Sequence, residues 1–400
     1  MNKADSERLE SAMEQMGLIE TPSPTNADIV VLNSCVVRQS AEDKVVGMLE
    51  SLKGGKNSNP DKIIALMGCM VGPNTTSLEK RFPHVDVMMP PQQYDPLIEL
   101  IGDRMNIDTE GCIGPLTANP TVAAYVPIIH GCDKFCSFCI IPYRRGREVS
   151  RTINDIVRET KLLADRGVKE ITLLGQNVNA YLYEKNGKEY RLSDLIMELD
   201  KFSELKRIRY TTSHPIDMTD DLIQCYAKSK KLAPFIHLPI QSGSNRILKL
   251  MNRKHNVKYY LDIIEKLRII NKNIKFSSDF IIGYPSETEQ DYQDTINFVK
   301  KIGFINSYSF IFSSRPGTPA ASMKINDLEI SKKRLKNLQN TLKNLKFKNN
   351  KMHLNEFCQV LVENKLSDQE KYFGRTKFMT PVIFGSDNCK NGDIVNIKIT

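Results

Sequence analysis

Six short runs with strand character, separated by longer amphipathic stretches, constrain the fold of this chain more than any other sequence feature. The runs begin 28 to 45 residues apart and cover residues 125–130, 170–174, 207–212, 235–240, 275–282 and 307–312. Helical periodicity between them is clearest in residues 153–165 and 291–302. Six consecutive βα units require right-handed crossovers and a parallel sheet. Because about 200 residues is short for a closed eight-unit barrel, the pattern predicts a partial, TIM-like (βα)6 barrel.

A smaller α/β region precedes the predicted barrel. Strand candidates at residues 28–33, 62–67 and 85–89 alternate with helical stretches at 42–52 and 94–101. This alternation predicts a parallel sheet covered by helices. Residues 111–120 lack periodicity and predict a linker.

The last part of the chain combines a basic helix with short strands. Residues 332–351 contain eight lysines and arginines and no acidic residue, and leucines at 335, 338, 342 and 345 fall on one helical face. Strand candidates at 357–363, 372–377, 381–384 and 393–399 predict a small all-β barrel, a type often used on RNA. We therefore place the domains at residues 1–117, 118–335 and 336–400.

Charge and composition limit the classes of function that this chain can have. Residues 1–117 have a net charge of −7, whereas residues 118–330 and 331–400 each have +8, which predicts a polyanion-binding surface on the last two thirds. An ordinary solvated surface is the alternative. No apolar run approaches the roughly 20 residues of a membrane span, and acidic residues interrupt any signal-like stretch at the N-terminus. We expect a soluble cytoplasmic protein whose nine cysteines are metal ligands and buried thiols, since an odd number argues against a disulfide framework.

The strongest chemical signal is the loop Cys132-Asp-Lys-Phe-Cys136-Ser-Phe-Cys139, which follows the first predicted barrel strand. Barrel chemistry takes place at the C-terminal ends of the strands. Three thiolates on one loop suit either an iron–sulfur cluster or zinc by ligand type. Structural zinc normally takes four ligands, and no further His or Cys follows at a suitable spacing. The pattern favours a [4Fe–4S] cluster with one open iron; zinc and buried thiols are the alternatives.

Two further cysteines follow strands of the N-terminal sheet. Cys35 comes after the first predicted strand and Cys69 after the second. Because neighbouring ends of parallel strands converge, both thiols are expected to reach one site. Buried structural thiols are the alternative.

The cysteine loop after the first strand of a partial barrel resembles the signature of the radical S-adenosylmethionine enzymes. Together with Cys35, Cys69 and the terminal β-barrel, it makes the whole chain similar to the methylthiotransferase family, which joins a cluster domain, a radical barrel and a TRAM domain. The resemblance implies that Cys132, Cys136 and Cys139 bind a [4Fe–4S] cluster whose open iron is chelated by S-adenosylmethionine. It also implies that an electron donor such as flavodoxin or ferredoxin drives cleavage to a 5′-deoxyadenosyl radical, and that a second [4Fe–4S] cluster supplies or holds the sulfur.

The N-terminus departs from the family pattern. The family's second cluster takes three cysteines, the first in a Gly-Cys-Gln-Met-Asn stretch, and Met1-Asn2 coincides with the end of that stretch. We therefore expect the first strand and the first ligand to be missing, which leaves Cys35 and Cys69 as two ligands of the second cluster. Cys112 does not match the missing position. If the chain starts at Met1, a catalytically impaired RNA-binding iron–sulfur protein is the alternative.

Candidate binding residues follow from the predicted strand ends and from the basic segments. Phe138 lies between two cysteines, where an aromatic side chain in the family commonly packs by the adenine of the cofactor. The polar residues expected at the S-adenosylmethionine pocket are Gln176, Asn177, Ser213, Gln241 and Asp279, with loop caps as the alternative. The residues expected to contact RNA are Arg144, Arg145, Lys371, Arg375 and Lys377, with intramolecular ion pairing as the alternative for the arginines near the loop. No catalytic side chain is predicted, because the cofactors carry the radical chemistry.

Local motifs narrow the substrate. Residues 131–151, Arg38 and residues 237–244 resemble most closely the enzymes that act on N6-isopentenyladenosine in tRNA. The resemblance implies 2-methylthiolation of adenosine 37, next to the anticodon. One S-adenosylmethionine would donate the methyl group to cluster-borne sulfur, and a second would generate the radical that takes hydrogen from adenine C2. Relatives acting on threonylcarbamoyl-adenosine or on a ribosomal protein are the alternatives. We expect tRNA as the partner, no membrane association and a monomer.

Overall fold

The computed structural model describes residues 1–36, 39–72, 74–107, 109, 120–367, 370–386 and 388–400. Arg38, Cys112 and residues 111–119 of the predicted linker lie outside the described residues. In the described part of the chain, no helix is long and apolar enough to cross a membrane.

The N-terminal part is a three-stranded parallel sheet with helices on both faces. Its elements are α1 Asn2–Gln15, β1 Ile29–Ser34, α2 Gln39–Ser58, β2 Ile63–Gly68, α3 Thr76–Arg81, β3 Val87–Met89 and α4 Asp95–Met105. The strand order is β1-β2-β3. Alternate residues of β2 face opposite sides, so Ile63 packs with α1 and α4 while Ile64 packs with α2. The predicted parallel sheet is confirmed; α1 and α3 are additional.

The central part contains the six predicted barrel strands. Its strands are β4 Ala123–Pro127, β5 Ile129–His130, β6 Val149–Ser150, β7 Glu170–Leu174, β8 Leu182–Lys185, β9 Lys188–Arg191, β10 Arg207–Tyr210, β11 Phe235–His237, β12 Lys275–Ile282 and β13 Asn306–Ile311. Its helices are α5 Ile141–Arg145, α6 Ile153–Asp165, α7 Leu192–Leu199, α8 Asp220–Lys228, α9 Asn245–Leu250, α10 Val257–Ile270, α11 Glu289–Ile302 and α12 Leu328–Lys351, with 3₁₀ turns at Val178–Ala180, Pro215–Asp217 and Pro319–Ser322.

These strands form a partial parallel barrel in chain order. β4, β7 and β10 form one parallel sheet, β11, β12 and β13 form a second, and a parallel bridge between Ile208 and Leu232 joins them. Ile171 and Leu173 of β7 pack into the main core, whereas Glu170 and Thr172 line a cavity on the opposite face. The prediction of one strand over 125–130 is corrected in one respect: β5 leaves the barrel sheet and pairs antiparallel with β6.

The last part follows α12 and is a four-stranded antiparallel sheet. Its strands are β14 Phe357–Lys365, β15 Lys371–Thr376, β16 Pro381–Gly385 and β17 Ile394–Lys398, in the order β16-β15-β14-β17. Leu338 and Leu342 of α12 are buried in the barrel core, and α12 runs across the predicted boundary at 335/336. Arg207 and Arg209 of β10 donate to backbone carbonyls at the C-terminal end of β15. These hydrogen bonds attach the terminal sheet to the barrel.

Candidate functional site

The three loop cysteines lie between β5 and α5, at the C-terminal end of the first barrel strand. Gly131 begins the loop with a φ of 72°, and a Cβ atom there would overlap the carbonyl oxygen of Arg147. The Cys132 N–H donates to the carbonyl oxygen of Gly146 at 3.1 Å, and the Cys139 N–H donates to that of Cys136 at 2.9 Å. Only glycine combines this φ with so close a backbone approach, so Gly131 fixes the entry to the loop.

The opposite barrel wall holds the loop in place. The Ser137 N–H donates to the carbonyl oxygen of Met251 at 3.1 Å, and the Ser137 hydroxyl donates to that of Leu250 at 2.8 Å. The Asn252 amide donates to the carbonyl oxygen of Phe135, a residue with a φ of 45°. The end of α9 therefore positions the loop through hydrogen bonds that no local sequence pattern encodes.

The thiols of the loop have a shared electrostatic environment. Burial raises the pKa of Cys132 to about 11 and that of Cys139 to about 12, and the neighbouring sulfurs add to both increases. The Arg253 Nη1 donates to the Cys136 Sγ at 3.6 Å, which places a positive charge beside the loop sulfurs.

The loop supplies the right donors for an iron–sulfur cluster. Within the described residues no three His, Cys, Asp or Glu side chains are themselves arranged as a metal-binding group. The donor chemistry nevertheless fits such a cluster, because three soft sulfur ligands share one loop and an arginine lies beside one of them.

A cavity of about 170 Å³ adjoins the loop. Phe138 and Cys139 line it from the loop, Gln241 and Asp279 from the barrel strand ends, and Val36 from the N-terminal part. The remaining lining residues are Ile140, Ile141, Ile281, Phe310, Ile311, Phe312, Ser313 and Arg315. The structure thus brings three of the predicted cofactor-binding residues, Phe138, Gln241 and Asp279, to one cavity with a loop cysteine.

Asp279 and Gln241 face this cavity with unusual geometry. The Asp279 Oδ2 lies 3.4 Å from the Nε2 of His237, while its Oδ1 is buried and has no hydrogen-bond partner among the described residues. Gln241 has a φ of 78° and is held by backbone bonds to Asp279 and Ile281. A buried unpaired carboxylate oxygen is costly, so this oxygen has free capacity to accept a hydrogen bond from a ligand.

Gln176, Asn177 and Ser213 are not among the residues that line this cavity. They lie at the ends of β7 and β10, where the Asn177 Nδ2 donates to Glu148 at 3.1 Å and to Asp217 at 2.8 Å. Each of the three predicted residues has a buried side-chain oxygen that makes no hydrogen bond within the described part of the chain. Asn177 is connected to the cysteine loop, because its partner Asp217 also pairs with Lys134.

Cys35 and Cys69 follow neighbouring strand ends, where Ser34 is in register with Gly68. The Arg145 Nε donates to the Cys69 Sγ at 3.1 Å, and the Arg145 guanidinium also pairs with Asp5 at 3.1 Å. Burial raises the pKa of Cys69, and Arg145 opposes that rise. Because Arg145 is the last residue of α5, it connects the helix after the cysteine loop directly to the site of Cys35 and Cys69.

The predicted RNA-contact residues differ in exposure. The side chain of Arg145 is only 3% exposed and is paired inside the protein. Arg375 is ion-paired with Glu363. The burial of Arg145 therefore does not support RNA contact there, and intramolecular pairing, the alternative for the arginines near the loop, describes it. Arg144 is partly buried beside Gly72, and Lys371 and Lys377 are exposed.

A partial parallel barrel with three cysteines after its first strand defines the class of radical S-adenosylmethionine enzymes. The Radical SAM superfamily matches residues 126–299, and the Uncharacterized protein family UPF0004 matches residues 1–90. The fold is similar to the radical S-adenosylmethionine methyltransferase TsrM from Kitasatospora setae (TM-score 0.54, 12% identity, 78% of this chain and 68% of that one). It is also similar to the cobalamin-dependent enzyme OxsB (TM-score 0.53, 14% identity, 85% and 53%).

Curated relatives match the chain along its full length. A protein of Pelagibacter ubique is 46% identical over 412 residues, which cover 100% of this chain and 92% of the relative. Proteins of Buchnera aphidicola and Vesicomyosocius okutanii are 42% and 41% identical, with all of this chain and 94% of each relative covered. All three are named tRNA-2-methylthio-N(6)-dimethylallyladenosine synthase. The chain belongs to this family of radical S-adenosylmethionine methylthiotransferases, which confirms the resemblance and implies a [4Fe–4S] cluster and S-adenosylmethionine as cofactors.

Proposed function

We propose that this chain converts N6-isopentenyladenosine at position 37 of tRNA to its 2-methylthio derivative. The observation that carries the proposal is the agreement in name of relatives that match the whole chain at 46%, 42% and 41% identity. The cavity supports it from the structural side, because Cys139 of the radical loop and Val36, next to Cys35, line the same space. A reaction that combines sulfur insertion and radical chemistry on one base requires both cysteine sites to lie next to the same cavity.

In this proposal Cys132, Cys136 and Cys139 hold the radical-site [4Fe–4S] cluster, and Cys35 and Cys69 contribute ligands to a second one. When bound, the two clusters supply one-electron cleavage of S-adenosylmethionine and the sulfur to be inserted. A flavodoxin- or ferredoxin-type protein provides the electron.

The chain's own residues bind and orient the cofactor and the base, and they exclude water from the cavity. Phe138 packs against the buried side chains of Tyr284 and Phe312, which gives the cavity an apolar wall beside the cysteine loop. The unpaired Oδ1 of Asp279 accepts a hydrogen bond from an N–H of the bound cofactor or base. An apolar cavity with few oriented acceptors protects a reactive species from water and fixes the reacting atoms.

The test of substrate is mass spectrometry of tRNA nucleosides from a strain lacking the gene. We expect 2-methylthio-N6-isopentenyladenosine to disappear and N6-isopentenyladenosine to accumulate, with recovery on expression of the wild-type chain but not of Cys139→Ala. Cys358→Ala, on the terminal sheet, is the matched control and should restore the modification. Unchanged methylthio-isopentenyladenosine in the deletion strain contradicts the proposal, and selective loss of a threonylcarbamoyl derivative reassigns the substrate.

The test of the cofactor assignment is iron content after anaerobic reconstitution. Two four-iron clusters predict about eight irons per chain, and Cys136→Ala should leave about four. Cys35→Ala should likewise remove about four irons and spare cleavage of S-adenosylmethionine. A wild-type value near four would contradict the second cluster while leaving the first intact.

A further inference from the structure

A groove of about 340 Å³ runs between β13 and α12, outside the cavity described above. Residues 304–310 form one wall, and Gln339, Leu342, Lys343 and Lys346 form the other. In the described part of the chain β13 pairs only with β12, so its outer edge borders the groove. Lys346 reaches across and donates to the Asn306 Oδ1 at 2.9 Å.

The groove is suited to a polyanion. Lys343 and Lys346 belong to the helical segment 332–351, which has no acidic residue, and none of the described residues that line the groove is acidic. Tyr308 projects from the same wall and is 58% exposed, a large fraction for an aromatic side chain. Lysines beside an exposed aromatic ring are the usual combination for a single nucleic-acid strand, since the ring stacks on a base while the lysines bind phosphates.

The groove adjoins the candidate active site. Phe310 lines both the cavity and the groove, and Tyr308 lies two residues before it, on the same face of β13. Two residues of a strand span about 7 Å. The Tyr308 ring is 6.5 Å from that of His237, which in turn contacts the cavity residue Asp279. A strand whose target base occupies the cavity therefore reaches Tyr308 with a neighbouring nucleotide.

We propose that this groove binds the single-stranded RNA next to the modified nucleotide, with one base stacked on Tyr308 and the backbone phosphates on Lys343 and Lys346. The proposal rests on the proposed function and adds a site to it. A protein strand paired with the β13 edge is disfavoured, because lysines bordering an edge strand oppose such pairing.

The experiment compares lysines inside and outside the groove on one helix. Affinity of the reconstituted enzyme for an anticodon stem-loop containing N6-isopentenyladenosine is measured by fluorescence anisotropy over a salt series. Lys343→Ala and Lys346→Ala should each reduce the slope of log affinity against log salt by about 0.7, the value for one phosphate contact on a single strand. Lys336→Ala is the control, since Lys336 is exposed on α12 but does not line the groove.

Tyr308 gives an independent readout. Tyr308→Ala should weaken binding roughly 5- to 100-fold through lost stacking, whereas Tyr308→Phe keeps the ring and should bind as wild type. Because the side chain is mostly exposed, the fold of Tyr308→Ala should be retained, which circular dichroism checks.

Wild-type slopes for Lys343→Ala and Lys346→Ala, or an equal decrease for Lys336→Ala, would overturn the groove assignment. Wild-type binding by Tyr308→Ala would do the same. Self-association of the wild-type chain that Lys343→Ala abolishes, with unchanged RNA affinity, would make the groove an interface between copies and also overturn it. Failure of the proposed function is distinguishable, because the wild-type enzyme itself would then neither bind nor modify the RNA.

Discussion

Replacing Arg145 by methionine should open the N-terminal cysteine site and leave the barrel folded. The Asp5 side chain is 1% exposed and that of Arg145 is 3% exposed, and their ion pair lies beside the buried thiol of Cys69. Removing one partner of a buried ion pair costs about 3–5 kcal/mol, because the other charge is left without compensation. The lower value corresponds to a roughly 100-fold larger population of the locally opened state.

Alkylation of cysteine in the iron-free chain measures this opening. Cys69 and Cys225 are both 2% exposed, but Cys225 lies in the barrel core, away from Arg145. In Arg145→Met we expect iodoacetamide to modify Cys69 roughly 100-fold faster, as followed by mass spectrometry of peptides, and Cys225 at the wild-type rate. Iodoacetamide reacts with Cys69 in the opened state, where the thiol is in water. The direct effect of Arg145 on the pKa of the buried thiol therefore does not contribute to the difference in alkylation rate between the wild type and Arg145→Met.

A double variant tests whether the cause is the unpaired carboxylate. Asp5→Asn in the Arg145→Met background removes the buried charge and should restore a large part of the protection of Cys69. Equal acceleration of Cys69 and Cys225 would mean global destabilisation, and unchanged rates at both would mean that Arg145 does not hold the site. Either result would refute the reasoning.

Three further predictions concern the loop and the barrel. Gly131→Ala should halve the iron content on reconstitution, because its Cβ overlaps the Arg147 carbonyl; normal iron content would contradict this account of the loop. Ser137→Ala should lower the free energy of unfolding in urea by about 1 kcal/mol, through loss of the hydrogen bond to Leu250. Burial, with Arg253, lowers the pKa of His255 from 6.5 to about 3, so the unfolded chain binds a proton that the folded chain does not, and stability falls as pH drops below 6.5. Between pH 7 and pH 5 this loss is about 2 kcal/mol, and urea unfolding of His255→Gln should show correspondingly weaker acid sensitivity.

The barrel strands could be predicted because short segments with strand character recur between amphipathic helical stretches. β7 spans the predicted residues without change, and so does β12. The break between β4 and β5 was missed, since both halves of 125–130 are apolar and only their partners differ. α1 was missed for the opposite reason. Its sequence is largely polar, and few of its apolar side chains, such as Leu9 and Ala12, are buried against the sheet.

Only those site residues that lie together in a short sequence motif could be predicted. The loop cysteines and Phe138 are adjacent in sequence, but Arg253 comes to Cys136 from 117 residues away, and no local pattern signals that contact. Arg145 illustrates the opposite error. A dense run of arginines after the loop resembles a surface patch, yet α5 turns Arg145 inwards, where Asp5 and Cys69 bind it. Its direction depends on the packing of α1, an element that the sequence interpretation lacked.

Buried charge contributes to how the N-terminal part sits on the barrel, in addition to the apolar contact of Ile140 with the N-terminal core. Besides the Asp5–Arg145 pair, Glu159 is 3% exposed and joins Arg8 of α1, at 3.1 Å, to Arg151 of the barrel, at 2.6 Å. Buried ion pairs contribute little net stability, because desolvation offsets their attraction, but they are directional where apolar contact is not. Both networks run from α1 to segments that flank the radical loop. They therefore hold Cys69 in one position relative to that loop, and the proposed reaction, with both cysteine sites acting on one base, would depend on that position.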